Sequence, residues 1–144
     1  METDSLPFGE LIKRLSTIYE KRANRNMQAQ NVTVSQMLML SLLDLQPGGT
    51  MPLKELERAC GVAQSTAAGV VVRLEKKNLI RAVGDPADRR VKILQITDAG
   101  REICAAAEAD MKAFDRGMLS CLSDGEREQL LRLMTRVYEA QKDV

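Results

Sequence analysis

Residues 53–96 read LKELERACGVAQSTAAGVVVRLEKKNLIRAVGDPADRRVKILQI, and the change of period inside this stretch decides the fold. Leu53–Cys60 has the length of a short helix, with Pro52 placed for its first turn and Gly61 for its C-terminal stop. A second helix, about Gln64 to Lys77, carries Ala67, Val70, Val71 and Leu74 on one face at helical spacing. It ends at Asn78, a residue that tolerates the left-handed conformation many helix ends need. Two short helices joined by a tight glycine-containing turn form a helix-turn-helix. Beyond Asn78 the apolar period falls from about 3.6 to about 2. Leu79–Val83 and Val91–Ile96 then read as strands around the turn-rich Gly84-Asp-Pro-Ala-Asp88. A helix-turn-helix followed directly by such a hairpin is a winged helix.

Outward from this lobe the sequence is helical. Leu11, Ile12, Leu15, Ile18 and Tyr19 form an amphipathic stripe in a helix from Leu6 to about Arg25. Thr33-Val-Ser-Gln36 reads as a capping box, and the helix it opens is apolar almost all round, which predicts a buried, central position. Pro47-Gly48-Gly49 stops it. Downstream, Thr97 can cap a long helix with Asp98 in its first turn, running towards Cys121. Ser123-Asp-Gly-Glu126 is a second capping box, and the helix behind it carries Leu130, Leu133, Met134 and Val137. The stripes of the terminal helices need a partner surface. The expected class is mainly α with a small β-hairpin wing. One domain over 1–144 is expected, with 31–97 as the winged helix-turn-helix lobe and 1–30 and 98–144 as a flanking helical region.

Charge is distributed to match. Between Lys54 and Lys92 nine basic residues stand against five acidic ones, whereas from Asp98 onward seven basic meet ten acidic. A basic middle in a chain of net charge +1 predicts a local polyanion-binding face. Of the 144 residues 44% are hydrophobic, 28% charged and only 3% aromatic, so the core is aliphatic and favours helices. The longest apolar run, Met37–Leu43 broken by Ser41, is far short of a membrane span. The acidic start with Glu2 and Asp4 has no export pattern, and three cysteines without metal-type spacing fit a reducing cytoplasm. With no His the usual Ser–His and Cys–His nucleophile pairs are excluded, and no phosphate loop or dinucleotide glycine pattern occurs. Neither an enzyme, a resident cofactor nor a metal is expected.

The stretch Asp85-Pro-Ala-Asp88-Arg89-Arg90, followed by Leu94-Gln-Ile-Thr97-Asp-Ala-Gly100, resembles the wing signature of the MarR (multiple antibiotic resistance regulator) family. Leu53-Lys-Glu-Leu56, Gly61-Val62, Ser65-Thr66 and Arg73-Leu74-Glu75-Lys-Lys are similar to its helix-turn-helix. The resemblance implies a bacterial transcriptional regulator, expected to act as a repressor. It further implies a homodimer clamped by the first, fifth and sixth helices, with recognition helices in successive major grooves of a palindromic operator and wings in the flanking minor grooves. It also implies a cleft for small aromatic or anionic effectors. Arg14, Tyr19 and Arg22 are candidate polar contacts there, and Met37 and Met111 candidate lining.

For DNA the candidates are Gln64, Ser65 and Thr66 in the first turn of the recognition helix, then Ala68, Gly69 and Arg73. Gln64 can read adenine through a bidentate pair. Thr66 either contacts DNA or serves only the helix start. Arg73 either meets phosphate or pairs with Glu75 or a neighbouring helix. On the wing, Arg90 fits a narrow minor groove, Asp88 would orient it, and Arg89 and Lys92 are phosphate partners. Lys54 and Arg58 are weaker candidates for the backbone. Two features depart from the family: Ala63 where a capping Ser is usual, and Ala68, Gly69 and Val72 where larger polar side chains are common. Close approach, thymine-methyl contact and modest base readout all fit the small residues. Two other readings stand beside the regulator: a winged-helix module for protein–protein contact, and redox sensing through Cys60, Cys104 or Cys121.

Overall fold

The computed structural model describes residues 6–143, so Glu2 and Asp4 of the acidic start lie outside it. Among the described residues the elements run α1 (Phe8–Ala29), α2 (Val34–Asp44), β1 (Thr50–Pro52), α3 (Leu53–Cys60), α4 (Gln64–Lys76), β2 (Ile80–Gly84), β3 (Lys92–Ile96), α5 (Asp98–Met118) and α6 (Asp124–Gln141). The winged helix-turn-helix is present, and its turn chemistry follows the residues. Gly61 ends α3 at φ 66°, a conformation that favours glycine, and Asn78 leaves α4 at φ 58°.

The expected hairpin is present, β2 pairing antiparallel with β3 from Ile80–Ile96 to Gly84–Lys92, and a third strand joins it. Residues Thr50, Met51 and Pro52 pair antiparallel with Gln95, Leu94 and Ile93, giving a three-stranded sheet of order β1-β3-β2. The third strand escapes sequence reading because three residues carry no period, and a proline argues against a central strand. Here Pro52 ends an edge strand and serves as N-cap of α3 at φ −60° and ψ 140°, one position ahead of the expected first-turn place.

Met39, Leu40 and Leu43 of α2, Leu56 of α3, the stripe Ala67, Val70, Val71 and Leu74 of α4, and Leu79, Ile80, Leu94 and Ile96 around the sheet make one continuous core. Leu56 is the buried residue that fastens the eight-residue α3, and burying a leucine contributes about 1.5–3 kcal/mol. Helix α2 is central as expected: nine of its eleven residues are buried or half-buried, and it packs against α1, α3, α4 and the sheet. Val34 and Leu38 are its exposed positions, since an apolar residue need not be buried.

The chain divides into two compact units, Met1–Glu108 and Ala109–Val144. In the first, Leu11, Leu15 and Ile18 form an exposed apolar ridge on α1. In the second, Ser123 caps α6 by accepting from the Glu126 amide at 3.2 Å, and Glu126 accepts from the Ser123 amide at 2.9 Å. The Ser123 amide, and after it the Ser123 hydroxyl, hold the Glu126 carboxyl below its ordinary value. Leu133, Met134 and Val137 are exposed on α6.

The start of α5 is sterically locked. Thr97 donates its hydroxyl to Asn78 O at 2.7 Å and accepts from the Gly100 amide at 3.2 Å, while its own amide donates to Leu79 O at 3.0 Å. A Cβ on Gly100 would stand 2.5 Å from Leu79 O and 2.6 Å from Ile96 Cγ1. Gly100→Ala is therefore expected to destabilise the fold by about 1–3 kcal/mol, the range for overpacking. Thermal unfolding checks this, and an unchanged midpoint would refute the steric account.

Candidate nucleic-acid interface

The sequence between Gly61 and Gln64 is too short for anything but a sharp turn, so α4 emerges with its N-terminal end exposed. Gln64, Ser65 and Thr66 are all exposed there. Ala63 is the N-cap and supplies no side-chain bond, so the first amides of α4 are left to an outside acceptor. Ala68 and Arg73 follow on the outer side, with Val72 50% exposed. Gly69 is half-buried, and a Cβ there would meet only Arg73 Nη1, at 3.8 Å. Nothing inside the chain requires glycine at that position.

The wing tip is pinned by its own aspartates. Asp85 Oδ1 accepts from the Ala87 amide at 2.8 Å, and Asp88 Oδ1 accepts from the Arg90 amide at 3.0 Å. The same Asp88 oxygen takes Arg90 Nε at 3.3 Å, while the Arg90 side chain stays 92% exposed. So open a pair adds little stability; its effect is to aim the guanidinium. Arg89 is exposed beside it.

Two of the candidate cations are placed differently from the simplest expectation. Lys92 Nζ stands 3.2 Å from Glu75 Oε1 on α4, an ion pair without aligned hydrogen-bond geometry that bridges wing and recognition helix. Glu75 is thereby matched with Lys92 rather than with Arg73. Lys54, rated low from sequence, joins both ends of the surface. It lines a notch of about 510 Å³ with Glu57, Arg58, Gly61, Val62 and Gln64. It also lines one of about 370 Å³ with Pro52, Leu53, Asp88, Arg90, Val91 and Lys92. No local pattern could reveal this, because β1 brings the start of α3 under the wing.

The five effector candidates are not equivalent. Arg14 is exposed and turned along α1 onto Glu10 at 3.1 Å. Tyr19 and Arg22 are half-buried on α1, and Met37 is half-buried against the core. Met111 is half-buried in the second unit. Among the described residues no group of three or more His, Cys, Asp or Glu stands together as a metal would require. No helix of the described residues is long and apolar enough to cross a membrane.

A sequence profile of the MarR family matches residues 30–91. The chain is 30% identical over 115 residues to the HTH-type transcriptional repressor MdtR of Bacillus subtilis, covering 80% of this chain and 73% of the relative. It is 27% identical over 116 residues to the HTH-type transcriptional repressor NicR of Pseudomonas putida, covering 81% of this chain and 73% of that protein. The crystal structure of the YusO protein of Bacillus subtilis superposes with a TM-score of 0.80 at 27% identity, over 97% of this chain and 99% of that one.

The cysteines differ in chemistry. Burial pushes the Cys60 thiol up. Burial also raises the Cys104 thiol, reinforced by Asp44 and opposed by a hydrogen bond with Ser41 and by the charge of Arg101. Both are held as thiols, the unreactive form. Cys121 is exposed. With a thiol-alkylating reagent at neutral pH, Cys121 is expected to be modified first, with Cys60 and Cys104 lagging until the protein is denatured. Peptide mass mapping over time checks this, and fast labelling of Cys104 would contradict the burial account.

Proposed function

Since the chain belongs to the MarR family of helix-turn-helix transcriptional regulators, we propose that it binds duplex DNA as a homodimer across a palindromic operator and acts as a repressor. It is a binding protein rather than an enzyme, and it works in the cytoplasm. The observation that carries the reading is Arg90: a guanidinium 92% exposed at the wing tip, with its backbone and Nε fixed by one aspartate. A guanidinium so held suits the narrow, electronegative minor groove. Arg89 and Lys92 then meet phosphates, Lys92 while paired with Glu75. Gln64, Ser65 and Thr66, with the uncapped amides behind them, enter the major groove. Arg73 lies along the adjoining phosphates.

The exposed ridges Leu11, Leu15 and Ile18 of α1 and Leu133, Met134 and Val137 of α6 supply apolar surface of the kind that marks a protein interface. A second copy of the chain is the proposed partner. For a small aromatic or anionic effector, half-buried Tyr19, Arg22 and Met37 each offer suitable chemistry, an aromatic ring, a cation and a soft thioether, and Arg14 and Met111 are further candidate residues.

Binding to duplex selected from genomic fragments, measured against salt, tests the DNA reading. Each phosphate neutralised contributes about −0.9 to the log–log slope, so several contacts per dimer give a steep decline. Arg90→Ala is expected to weaken binding roughly tenfold, the scale of a hydrogen bond to a charged group, without unfolding the chain. A slope near zero would favour a protein–protein module instead, and a monomeric mass under binding conditions would remove the two-lobed operator geometry.

Gly69 and Ala68 are proposed as the point where the α4 backbone comes close to the base edges. Gly69→Ala is expected to stabilise the fold by about 0.5–1 kcal/mol, the helix-interior cost of glycine. The same change should weaken operator binding by about as much as a mismatched base pair, about 1–3 kcal/mol. Thermal unfolding and DNA titration of the one variant give opposite signs; unchanged affinity would remove the close approach.

A further inference from the structure

Lys77 belongs to the basic middle of the chain and is an exposed residue, yet its ammonium is engaged by the protein's own oxygens. It follows the last residue of α4 and precedes the left-handed Asn78. Its Nζ donates to Asn31 O at 2.6 Å and to Gln36 Oε1 at 2.9 Å, across 46 and 41 residues of sequence. Gln36 is 3% exposed, the buried polar residue beside an otherwise apolar core. Its Oε1 also accepts from the Thr33 amide at 3.3 Å, while Thr33 Oγ1 accepts from the Gln36 amide at 3.2 Å. Asn31 turns the chain between α1 and α2 at φ 55°. One ammonium thus joins the exit of α4 to the corner where α1 becomes α2, through a backbone carbonyl and a side chain already fixed by a capping box.

We infer that Lys77 is a positioning residue for DNA binding: it holds the exit of the recognition helix against the α1–α2 corner and makes no contact with DNA itself. The inference rests on the DNA-binding reading above. The geometry has leverage. A helix of 13 residues is about 20 Å long, so a tilt of roughly 5° about its far end displaces its first turn by about 2 Å. Gln64, Ser65 and Thr66 stand at that displaced end, and bidentate base contacts do not survive such a shift. Without the ammonium, Asn31 O loses a donor and the buried Gln36 Oε1 keeps only the Thr33 amide. The corner and the helix exit are then free to separate.

The test uses the full chain and its selected operator, at a temperature where circular dichroism shows each variant folded. Lys77→Met is expected to lower affinity at least tenfold with a log–log salt slope equal to that of the parent. Gln36→Glu keeps both acceptor roles and should stay within about threefold of the parent. A slope shallower by about 0.9 in Lys77→Met would make Lys77 a phosphate contact and overturn the inference. Full affinity in folded Lys77→Met would reduce the contact to stability alone and overturn it equally. Should Lys77→Met not fold, Lys77→Gln decides: its amide is uncharged and one bond shorter, so it cannot reach both acceptors, and a several-fold loss with unchanged slope supports positioning while parent affinity overturns it. If the parent chain itself binds no duplex, the functional reading fails and this inference with it. Normal parent binding with an unaffected folded variant sinks this inference alone.

Discussion

A helix that must turn into an edge of sheet within three residues has few backbone solutions, and the lobe is built around the one used here. Asn78 takes the left-handed conformation, the Leu79 amide folds back onto Leu74 O at 3.0 Å, and β2 begins at once. Thr97 then closes the same point from the other strand, bonding Asn78 O and Leu79 O while capping α5. Gly100 lets α5 approach that carbonyl. Strand, helix and wing are therefore referred to one small seam, and the direction of the wing relative to α4 is set there and by the Lys92–Glu75 bridge.

Charge in the lobe is divided by geometry rather than shared evenly. Arg101 pairs with Asp44 at 3.2 Å beside the Pro47–Gly49 turn, Lys92 with Glu75, and Lys77 reaches two neutral oxygens. The exposed cations of the lobe outside these contacts include Lys54, Arg58, Arg73, Lys76, Arg89 and Arg90, the last held by Asp88. The electrostatic footprint is smaller than the count of basic residues, and Lys54 belongs to both its α3 end and its wing end.

The parts legible in sequence obey local rules. Both capping boxes, the Gly61 and Asn78 helix ends, the α4 stripe and the Asp88–Arg90 bond involve residues within a few positions of one another. The rest depends on where distant segments meet. β1 exists because Thr50–Pro52 finds β3, and Lys92 finds Glu75 only after the hairpin folds over α4. Gln36 was legible as a cap but not as the acceptor for Lys77, since nothing near either residue signals the other.

The wing tip has one more chemical character. Asp85–Val91 is a projecting turn held by its own short bonds, and it carries Arg89 and Arg90 side by side. Exposed loop tips are where proteases cut, and a trypsin-like enzyme cuts after an arginine, of which this tip offers two. Cleavage there would leave β2 and β3 still zipped by their ladder from Ile80–Ile96 to Gly84–Lys92. A groove enclosing the tip would shield it, so the rate of nicking at this one turn becomes an internal gauge of how much of the protein is occupied, readable without any label on the nucleic acid.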